Sequence, residues 1–168
     1  MKKLQILGLF ICLFALYGCP QEPIDGPFIE EFSLYSPVII DRNEFETTIA
    51  VSNAKPIEEA GKIYIKDDFL YINEVNQGFH VFDNSNPNNP QNIAFIKILG
   101  SKDLAIKGDV IYVHNATDLV ALKPNYTDFS FQIKKRIKNT FPQILSPDGF
   151  YYTDLGENEI IVDWILND

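Results

Sequence analysis

Oxygen-bearing side chains are concentrated in residues 83–86 (DNSN), where they could provide ligands for a calcium ion. An EF-hand calcium loop also requires Gly at its sixth position and a bidentate Glu at its twelfth. Asn88 and Ala94 occupy those positions in this sequence, which excludes an EF-hand. We therefore predict that Asp83 and Asn84 bond the exposed amides of a turn rather than a metal ion.

Candidate catalytic groups give only weak signals. The sequence contains no G-x-S-x-G motif and no glycine-rich phosphate loop. Glu157 and Glu159 lie two residues apart beside a predicted strand, a spacing too unspecific to indicate a glycosidase pair. His80 and His114 occupy non-equivalent strand positions and cannot form a local metal pair. We therefore predict no catalytic, metal-binding or cofactor-binding residues. The alternative to a non-catalytic protein is a hydrolase of surface glycans.

The basic side chains of residues 134–138 form the one cationic cluster of an acidic chain. On a regular strand Lys134, Arg136 and Lys138 share one face, because successive side chains alternate between the two faces. One interpretation is contact with anionic lipid headgroups or with an acidic polysaccharide. The other, which we prefer, is a charged outer strand that discourages pairing with other sheets.

Aromatic side chains make up 13% of the chain, and most fall on predicted strand positions, where they would form a core. Tyr151, Tyr152 and Trp164 lie near turns or near the C-terminus, where exposed rings could stack on sugars. Burial within strands explains these three residues equally well, so both interpretations stay open.

The first 19 residues predict an export signal followed by a lipid attachment site. Lys2 and Lys3 precede an apolar stretch over residues 4–16, which is shorter than the ~20 residues that a bilayer-spanning helix needs. Residues 16–19 (LYGC) are typical of a bacterial lipobox, in which a small residue precedes the cysteine that is lipidated. We therefore expect a signal peptide over residues 1–18 and attachment of acyl chains such as palmitate to Cys19.

Residues 19–34 contain several prolines and are predicted to form an extended tether. Acyl chains on Cys19 would hold the protein at a membrane without a transmembrane helix, and we expect this membrane to be the outer membrane of the cell envelope. Loss of Lys2 and Lys3 would leave 12 basic and 23 acidic side chains, changing the net charge from −9 to −11. Such an acidic chain is not expected to bind nucleic acid.

A repeat of about 40 residues runs through the rest of the chain. Residues 65–72 align with residues 106–113 at an interval of 41, and the strands that follow them align at an interval of 40. A third copy begins with a turn and a strand over residues 147–153 and continues with a strand over residues 160–162. Each unit therefore reads as strand, tight turn, strand, second turn and strand.

Four strands in about 40–45 residues are the dimension of a propeller blade. The predicted fold is all-β, with antiparallel four-stranded blade-like sheets that form an incomplete or small β-propeller over residues 35–168, in about three repeats of 40–41 residues. The last blade is short, so we expect residues 37–40 to add a strand beside residues 160–162. Three blades leave sheet faces uncovered, which predicts self-association or a partner.

Residues 79–90 (FHVFDNSNPNNP) resemble the LVIVD-type propeller repeat, in which an apolar strand is followed by Asp and then by Ser-Asn/Asp-Pro-x-x-Pro. Together with residues 35–38, 61–66 and 135–138, this segment is similar to lipoproteins of the Bacteroidetes type that carry the repeat. The resemblance implies a β-propeller-like, membrane-anchored protein without assigned catalytic residues. We therefore expect a non-catalytic binding or scaffolding module for an envelope protein or a glycan. The residues that match the signature are Asp83, Ser85, Asn86, Pro87 and Pro90.

Overall fold

Runs of β-branched and aromatic residues, separated by Gly, Asn, Asp and Pro, form eleven strands and one short helix in the residues that the computed structural model describes, 33–127 and 130–168. No helix in these two ranges is long and apolar enough to cross a bilayer. In chain order the elements are β1 (Tyr35–Asp41), α1 (Arg42–Phe45), β2 (Ala50–Asn53), β3 (Ala60–Lys66), β4 (Phe69–Glu74), β5 (Gly78–Asp83), β6 (Gln91–Lys97), β7 (Leu104–Lys107), β8 (Val110–Asn115), β9 (Asp118–Pro124), β10 (Phe131–Ile137) and β11 (Glu159–Leu166).

The described strands form two antiparallel sheets and an antiparallel ribbon. Sheet 1 has the strand order β2-β6-β5-β4-β3, and sheet 2 has the order β10-β9-β8-β7. In the ribbon, β1 pairs with β11. These pairings confirm the predicted all-β class with antiparallel sheets.

Sheets 1 and 2 repeat the same four-stranded meander. The β3–β4 turn and the β7–β8 turn each contain a residue with positive φ, Asp67 at 51° and Gly108 at 61°, and these residues are 41 positions apart. Gly149, another 41 positions along the chain, has a φ of 85° and lies in the turn that was expected to open the third copy. The interval seen in the sequence therefore also separates the positive-φ residues of three successive turns.

The third copy lacks the strand expected within residues 147–153. The Ser146 amide donates a hydrogen bond to the Phe150 carbonyl oxygen at 3.1 Å, which closes the turn, but residues 150–153 form no strand. Pro142 and Pro147 flank the segment that would have to pair with such a strand, and proline has no amide hydrogen for a ladder. This part of the prediction is wrong, and the third copy contributes only its later strand, β11, which pairs with β1 in the ribbon.

The ribbon confirms the strand expected from residues 37–40. Ile39 lies opposite Ile161 and Ile40 lies opposite Ile160, beyond a register shift that follows Val38. The ribbon has a hydrophobic cluster of its own with α1 and the segment after β10. Its buried residues are Phe45, Ala116, Ile144, Ile160, Ile161, Val162 and Trp164.

The main core lies between the facing sides of sheets 1 and 2. Because side chains alternate along a strand, every second residue of the central strands enters this core. Tyr71 and Phe79 are its largest members and are each 1% exposed. Full burial of a large apolar side chain stabilises a fold by ~1.5–3 kcal/mol. The buried core residues are Tyr71, Phe79, Val81, Ala94, Ile96, Ile98, Leu104, Ile111, Val113, Val120 and Leu122.

Candidate binding groove

One face of sheet 2 is turned away from the main core and lies partly open. Along β8, Ile111 and Val113 enter the core, whereas Tyr112 and His114 line a groove on the opposite face. Leu119 on β9 lies opposite His114 in the strand register and lines the same groove. The alternation of side chains therefore places an aromatic ring and an imidazole on one outer surface.

This sheet-2 groove has a volume of about 620 Å³, which falls within the ~300–1,000 Å³ typical of ligand sites. Phe141 lines it from the segment that follows β10. The Phe141 amide donates a hydrogen bond to the Thr117 carbonyl oxygen at 2.9 Å, which fixes that segment beside the β8–β9 turn. The remaining lining residues are Lys102, Asp103, Leu104 and Ala105.

The imidazole of His114 is held in one tautomer. Its Nδ1 lies 3.0 Å from the Gly100 carbonyl oxygen, and Nδ1 carries the hydrogen because a carbonyl can only accept. Burial lowers the pKa of His114, and the positive charge of Lys102 lowers it further. The ring is therefore neutral at pH 7, with Nε2 as an acceptor that no described residue occupies. The Phe141 ring packs against it, with 4.5 Å between ring centroids.

Asp103, at the edge of the groove, joins the two sheets. Its carboxylate accepts hydrogen bonds from Lys62 Nζ, from the Tyr64 hydroxyl and from the Leu104 amide, the last at 2.8 Å. Burial alone would raise the pKa of Asp103, but these donors outweigh it and hold the pKa below its ordinary value. Burial and the hydrogen bond to Asp103 raise the pKa of Tyr64 to about 12. The Asp103 carboxylate is therefore ionised and already bonded to Lys62, Tyr64 and the Leu104 amide. Lys102 beside it has no ion-pair partner in the described part of the chain.

The signature residues of the predicted repeat lie at the end of β5 and in the β5–β6 connection, and they do not line the sheet-2 groove. The Asp83 carboxylate accepts the Ser85 amide at 2.9 Å, and the hydrogen bonds from Ser85 hold the pKa of Asp83 below its ordinary value. Asn86, rather than Asn84, caps the next turn by accepting a backbone amide at 3.2 Å. Pro90 directly precedes β6. The predicted turn is thus confirmed, with a change in one of its two capping residues.

The basic residues of β10 do not share one face. The pairing of β10 with β9 shifts register between Ile133 and Lys135, and such a bulge disrupts the regular alternation of side chains. Arg136 is turned inward, where its side chain is 10% exposed. The common face expected for Lys134, Arg136 and Lys138 is therefore wrong for Arg136, which is not available to an anionic surface.

The two lysines of the predicted common face, Lys134 and Lys138, have partners on the domain itself. Lys134 Nζ donates to Gln132 Oε1 at 3.1 Å. Lys138 Nζ forms an ion pair with Glu46. The arrangement therefore agrees better with a charged strand at a sheet edge than with a cationic patch for a membrane or a polysaccharide.

Asp118, at the start of β9, is a fully buried carboxylate that the sequence analysis missed. Arg42 Nη1 donates to its two oxygens at 2.9 and 2.7 Å, and Arg136 Nη1 donates to Oδ2 at 2.9 Å. Burial alone would raise the pKa of Asp118, but the two guanidinium groups and the Asn139 amide outweigh it and lower the pKa. The sequence offers one clue to this residue. Asp118 is acidic at a position where the alternation of side chains along β9 predicts a buried core residue.

Glu74 and His80 form a second buried pair, on the outer face of sheet 1. His80 Nε2 donates to Glu74 Oε2 at 2.7 Å, and both side chains are 0% exposed. The Glu74 carboxylate also accepts the amides of Glu58, at 3.1 Å, and Glu59. Burial alone would raise the pKa of Glu74, but these hydrogen bonds outweigh it and lower the pKa. The pair holds residues 58–59 onto the sheet, which is a structural task.

The other candidate residues fall into turns and the core. Trp164 is 8% exposed and its Nε1 donates to the Ile144 carbonyl oxygen at 3.1 Å, whereas Tyr151 is 57% exposed. Glu159 accepts the Gly156 amide at 2.9 Å within a turn. In residues 33–127 and 130–168, no group of three or more His, Cys, Asp or Glu side chains is placed to hold a metal ion.

Comparisons of the chain with protein-family models, with curated proteins and with solved structures found no match. Cys19, the predicted signal peptide and the predicted tether up to residue 32 lie outside the residues that the structure describes. The sheet-2 groove combines two aromatic rings, an unoccupied acceptor on His114 and the cation of Lys102. It is the described surface best suited to hold a partner.

Proposed function

We propose that this chain is a non-catalytic binding or scaffolding module of the cell envelope, which holds an envelope protein or a glycan in the sheet-2 groove. The observation that supports this function is the open outer face of sheet 2, where Tyr112 and Phe141 line a groove of about 620 Å³. Binding sites are commonly concave and mainly apolar, with a few polar groups that fix orientation. His114 Nε2 and Lys102 Nζ provide an acceptor and a donor at this site.

In this proposal, sheets 1 and 2 are consecutive blades of a small or incomplete β-propeller. Their strands follow the same order at an interval of 41 residues, and their facing sides share one core. Propeller blades are four-stranded sheets arranged radially around a central axis, so that neighbouring sheets pack on each other. The resemblance of residues 79–90 to the LVIVD-type repeat supports the same architecture.

The proposed location is the outer membrane, with the domain held by acyl chains on Cys19. Support comes from residues 1–19 of the sequence and from the resemblance to repeat-bearing lipoproteins. Substitution Cys19→Ser should move the protein from the membrane fraction to the soluble fraction of lysed cells. Unchanged partition into membranes would contradict a lipid anchor.

Affinity capture from membranes tests the binding function. The full-length protein is compared with Tyr112→Ala, in the groove, and with Tyr151→Ala, whose ring is 57% exposed outside the groove. We expect the wild type and Tyr151→Ala to retain a stable protein or glycan partner. Tyr112→Ala should retain about tenfold less, because buried aromatic side chains often dominate binding energy.

A polysaccharide screen separates binding from the hydrolase alternative. The purified full-length protein is incubated with envelope and surface polysaccharides, and released reducing ends are measured. We expect no turnover. Turnover of any polysaccharide would favour the hydrolase, and failure of the wild type to retain any partner would contradict the binding function.

A further inference from the structure

The repeat relates the outer face of sheet 1 to the core-facing side of sheet 2. Four apolar side chains of β7 and β8 line the main core, where they pack against sheet 1. Their counterparts 41 residues earlier, on β3 and β4, are also apolar. They pair across the two strands, so they form one continuous surface. The corresponding residues are Ile63 and Leu104, Ile65 and Ile106, Leu70 and Ile111, and Ile72 and Val113.

These equivalent surfaces have different surroundings. Leu104 is 6% exposed because sheet 1 covers it, whereas Ile63 and Ile65 are 61% and 67% exposed. Adjacent aliphatic side chains with this exposure on an edge strand are a recognised liability for a protein that stays alone. The outer face of sheet 1 therefore has the composition of a sheet-packing surface, but no sheet of the described chain covers it.

The sheet-2 groove is the complementary surface. Tyr112 in the groove corresponds to Tyr71, which is 1% exposed and packs against the next sheet in the main core. His114 corresponds in the same way to the buried Asn73. The groove therefore occupies the face on which this repeat receives the following blade.

We infer that a second copy of this chain docks in the sheet-2 groove through the outer face of its own sheet 1. This inference rests on the proposed binding function and names the partner of the same site. The contact between the two copies would repeat the contact between sheets 1 and 2 within one chain. It would bury Ile63 and Ile65 against Tyr112.

The charges around the two faces are also complementary. Lys102 and Lys107 are exposed on the groove side of sheet 2 and have no ion-pair partner among the described residues. Glu58 and Glu59 are exposed on the segment that covers part of the outer face of sheet 1. Opposite charges at the rim of an interface set its orientation and favour the encounter of the partners.

Two copies of the chain can form a closed assembly. Each copy carries both faces, so two copies can make two identical contacts, and head-to-tail contacts that close form a ring. Such a ring would contain four of these sheets, and closed propellers have about 4–8 blades. The exposed faces of both copies would then be covered.

Sedimentation equilibrium of the full-length protein in a non-ionic detergent tests this assignment. The variant Ile65→Lys places a charge in the inferred contact. Ile165→Lys, on the ribbon, is the matched control because Ile165 is 62% exposed. We expect dimers of the wild type and of the control, and a dimer dissociation constant at least about tenfold higher for Ile65→Lys. Ala105→Trp, which fills the groove from an exposed position, should have the same effect from the other face.

Three results would overturn the second copy as partner. One is a wild-type protein that stays monomeric up to roughly 100 μM. Another is a dimer that persists in both Ile65→Lys and Ala105→Trp. The third is Tyr112-dependent capture of a different protein or a glycan by a monomeric chain, which would leave the proposed binding function in place.

Discussion

Sheets 1 and 2 share a backbone repeat but bury different carboxylates. In sheet 1, Glu74 accepts hydrogen bonds from His80 and from the amides of residues 58–59, which lie close in the chain. In sheet 2, Asp118 accepts hydrogen bonds from Arg42 and Arg136, and Arg42 is 76 residues away. The repeat thus determines strands and turns, whereas the neighbours of each copy determine which polar groups it can bury.

The apolar faces show the same contrast. Tyr71 and Tyr112 occupy equivalent positions, but Tyr71 is 1% exposed in the core and Tyr112 lines an open groove. Where another sheet follows, this face becomes part of a core, and where none follows, the same face lines an open groove. Substitutions in equivalent positions can therefore separate what the repeat contributes from what its surroundings contribute.

The largest loss of stability is expected for the substitution Asp118→Asn. It removes the charge that compensates two guanidinium groups whose side chains are only 13% and 10% exposed. Breaking a buried ion pair in this way should lower the free energy of unfolding by about 3–5 kcal/mol, measured by urea denaturation. The control Asp109→Asn removes an exposed pair with Lys123 and should leave stability unchanged. Equal destabilisation by both substitutions would contradict a structural role specific to Asp118.

Gly78→Ala should be the next most damaging substitution. Gly78 corresponds to Asp118 in the repeat, has a φ of 150°, and a Cβ atom there would lie 2.0 Å from the Ile96 carbonyl oxygen. The cost in unfolding free energy should be about 2–3 kcal/mol. Gly108→Ala, with a φ of 61° and no heavy atom within 4 Å of the added Cβ, should cost about 1 kcal/mol. A larger loss for Gly108→Ala in thermal denaturation would be inconsistent with these environments.

Glu74→Gln should reduce stability at pH 7 and flatten its dependence on acid. The pKa of Glu74 is lowered in the folded state, so the unfolded chain binds more protons and the contribution of Glu74 is present above its unfolded pKa. That contribution is lost as the pH falls below about 4, through the folded pKa. We expect a loss of about 1–2 kcal/mol at pH 7 and a smaller change between pH 5 and roughly pH 2 than in the wild type.

Urea denaturation at a series of pH values checks this expectation. Glu157→Gln, at an exposed position in a turn, is the matched control and should keep the wild-type pH profile. If Glu74→Gln retained the full acid dependence of the wild type, Glu74 could not be one of the carboxylates whose protonation destabilises the fold.

The smallest change in stability is expected at the β3–β4 turn, the first of the three repeated turns. Asp67 has a φ of 51°, where the equivalent positions in the later copies are Gly108 and Gly149. Asp67→Gly should therefore raise the free energy of unfolding by about 0.5 kcal/mol, because glycine adopts this conformation without strain. Asp68→Gly, next to it, is the control and should bring no gain. Thermal denaturation of the two variants distinguishes them, and a gain for Asp68→Gly alone would place the strained position elsewhere.

Much of the fold could be predicted from the sequence because the repeat is local. The interval of 41 residues located the turns at Asp67, Gly108 and Gly149, and the apolar run 37–40 identified a partner for β11. The strand expected after Gly149 does not form, because its pairing also depends on a neighbouring segment that Pro142 and Pro147 interrupt. Alternation within one strand predicts its faces, but it does not ensure that a partner strand exists.

The sheet-2 groove and the contact of Asp118 with Arg136 are harder to predict from the sequence. The sequence identifies Tyr112 and His114 only as strand residues, because nothing in β8 shows whether a further sheet covers its outer face. Alternation along a regular strand predicts Arg136 on the same face as Lys134 and Lys138, but the bulge after Ile133 removes that regularity. The partner of Arg136, Asp118, is brought to it by the tertiary structure, and spacing alone carries little information about such a contact.

Mapping of backbone amide chemical shifts is the most direct test of the sheet-2 groove as the binding surface. Spectra of the full-length protein are recorded as its concentration is raised and as the captured partner is added. We expect the largest changes at Ala105, Tyr112 and His114, with little change in the β5–β6 connection. Changes confined to residues 83–90 or to the ribbon, with none in the groove, would contradict the proposed function.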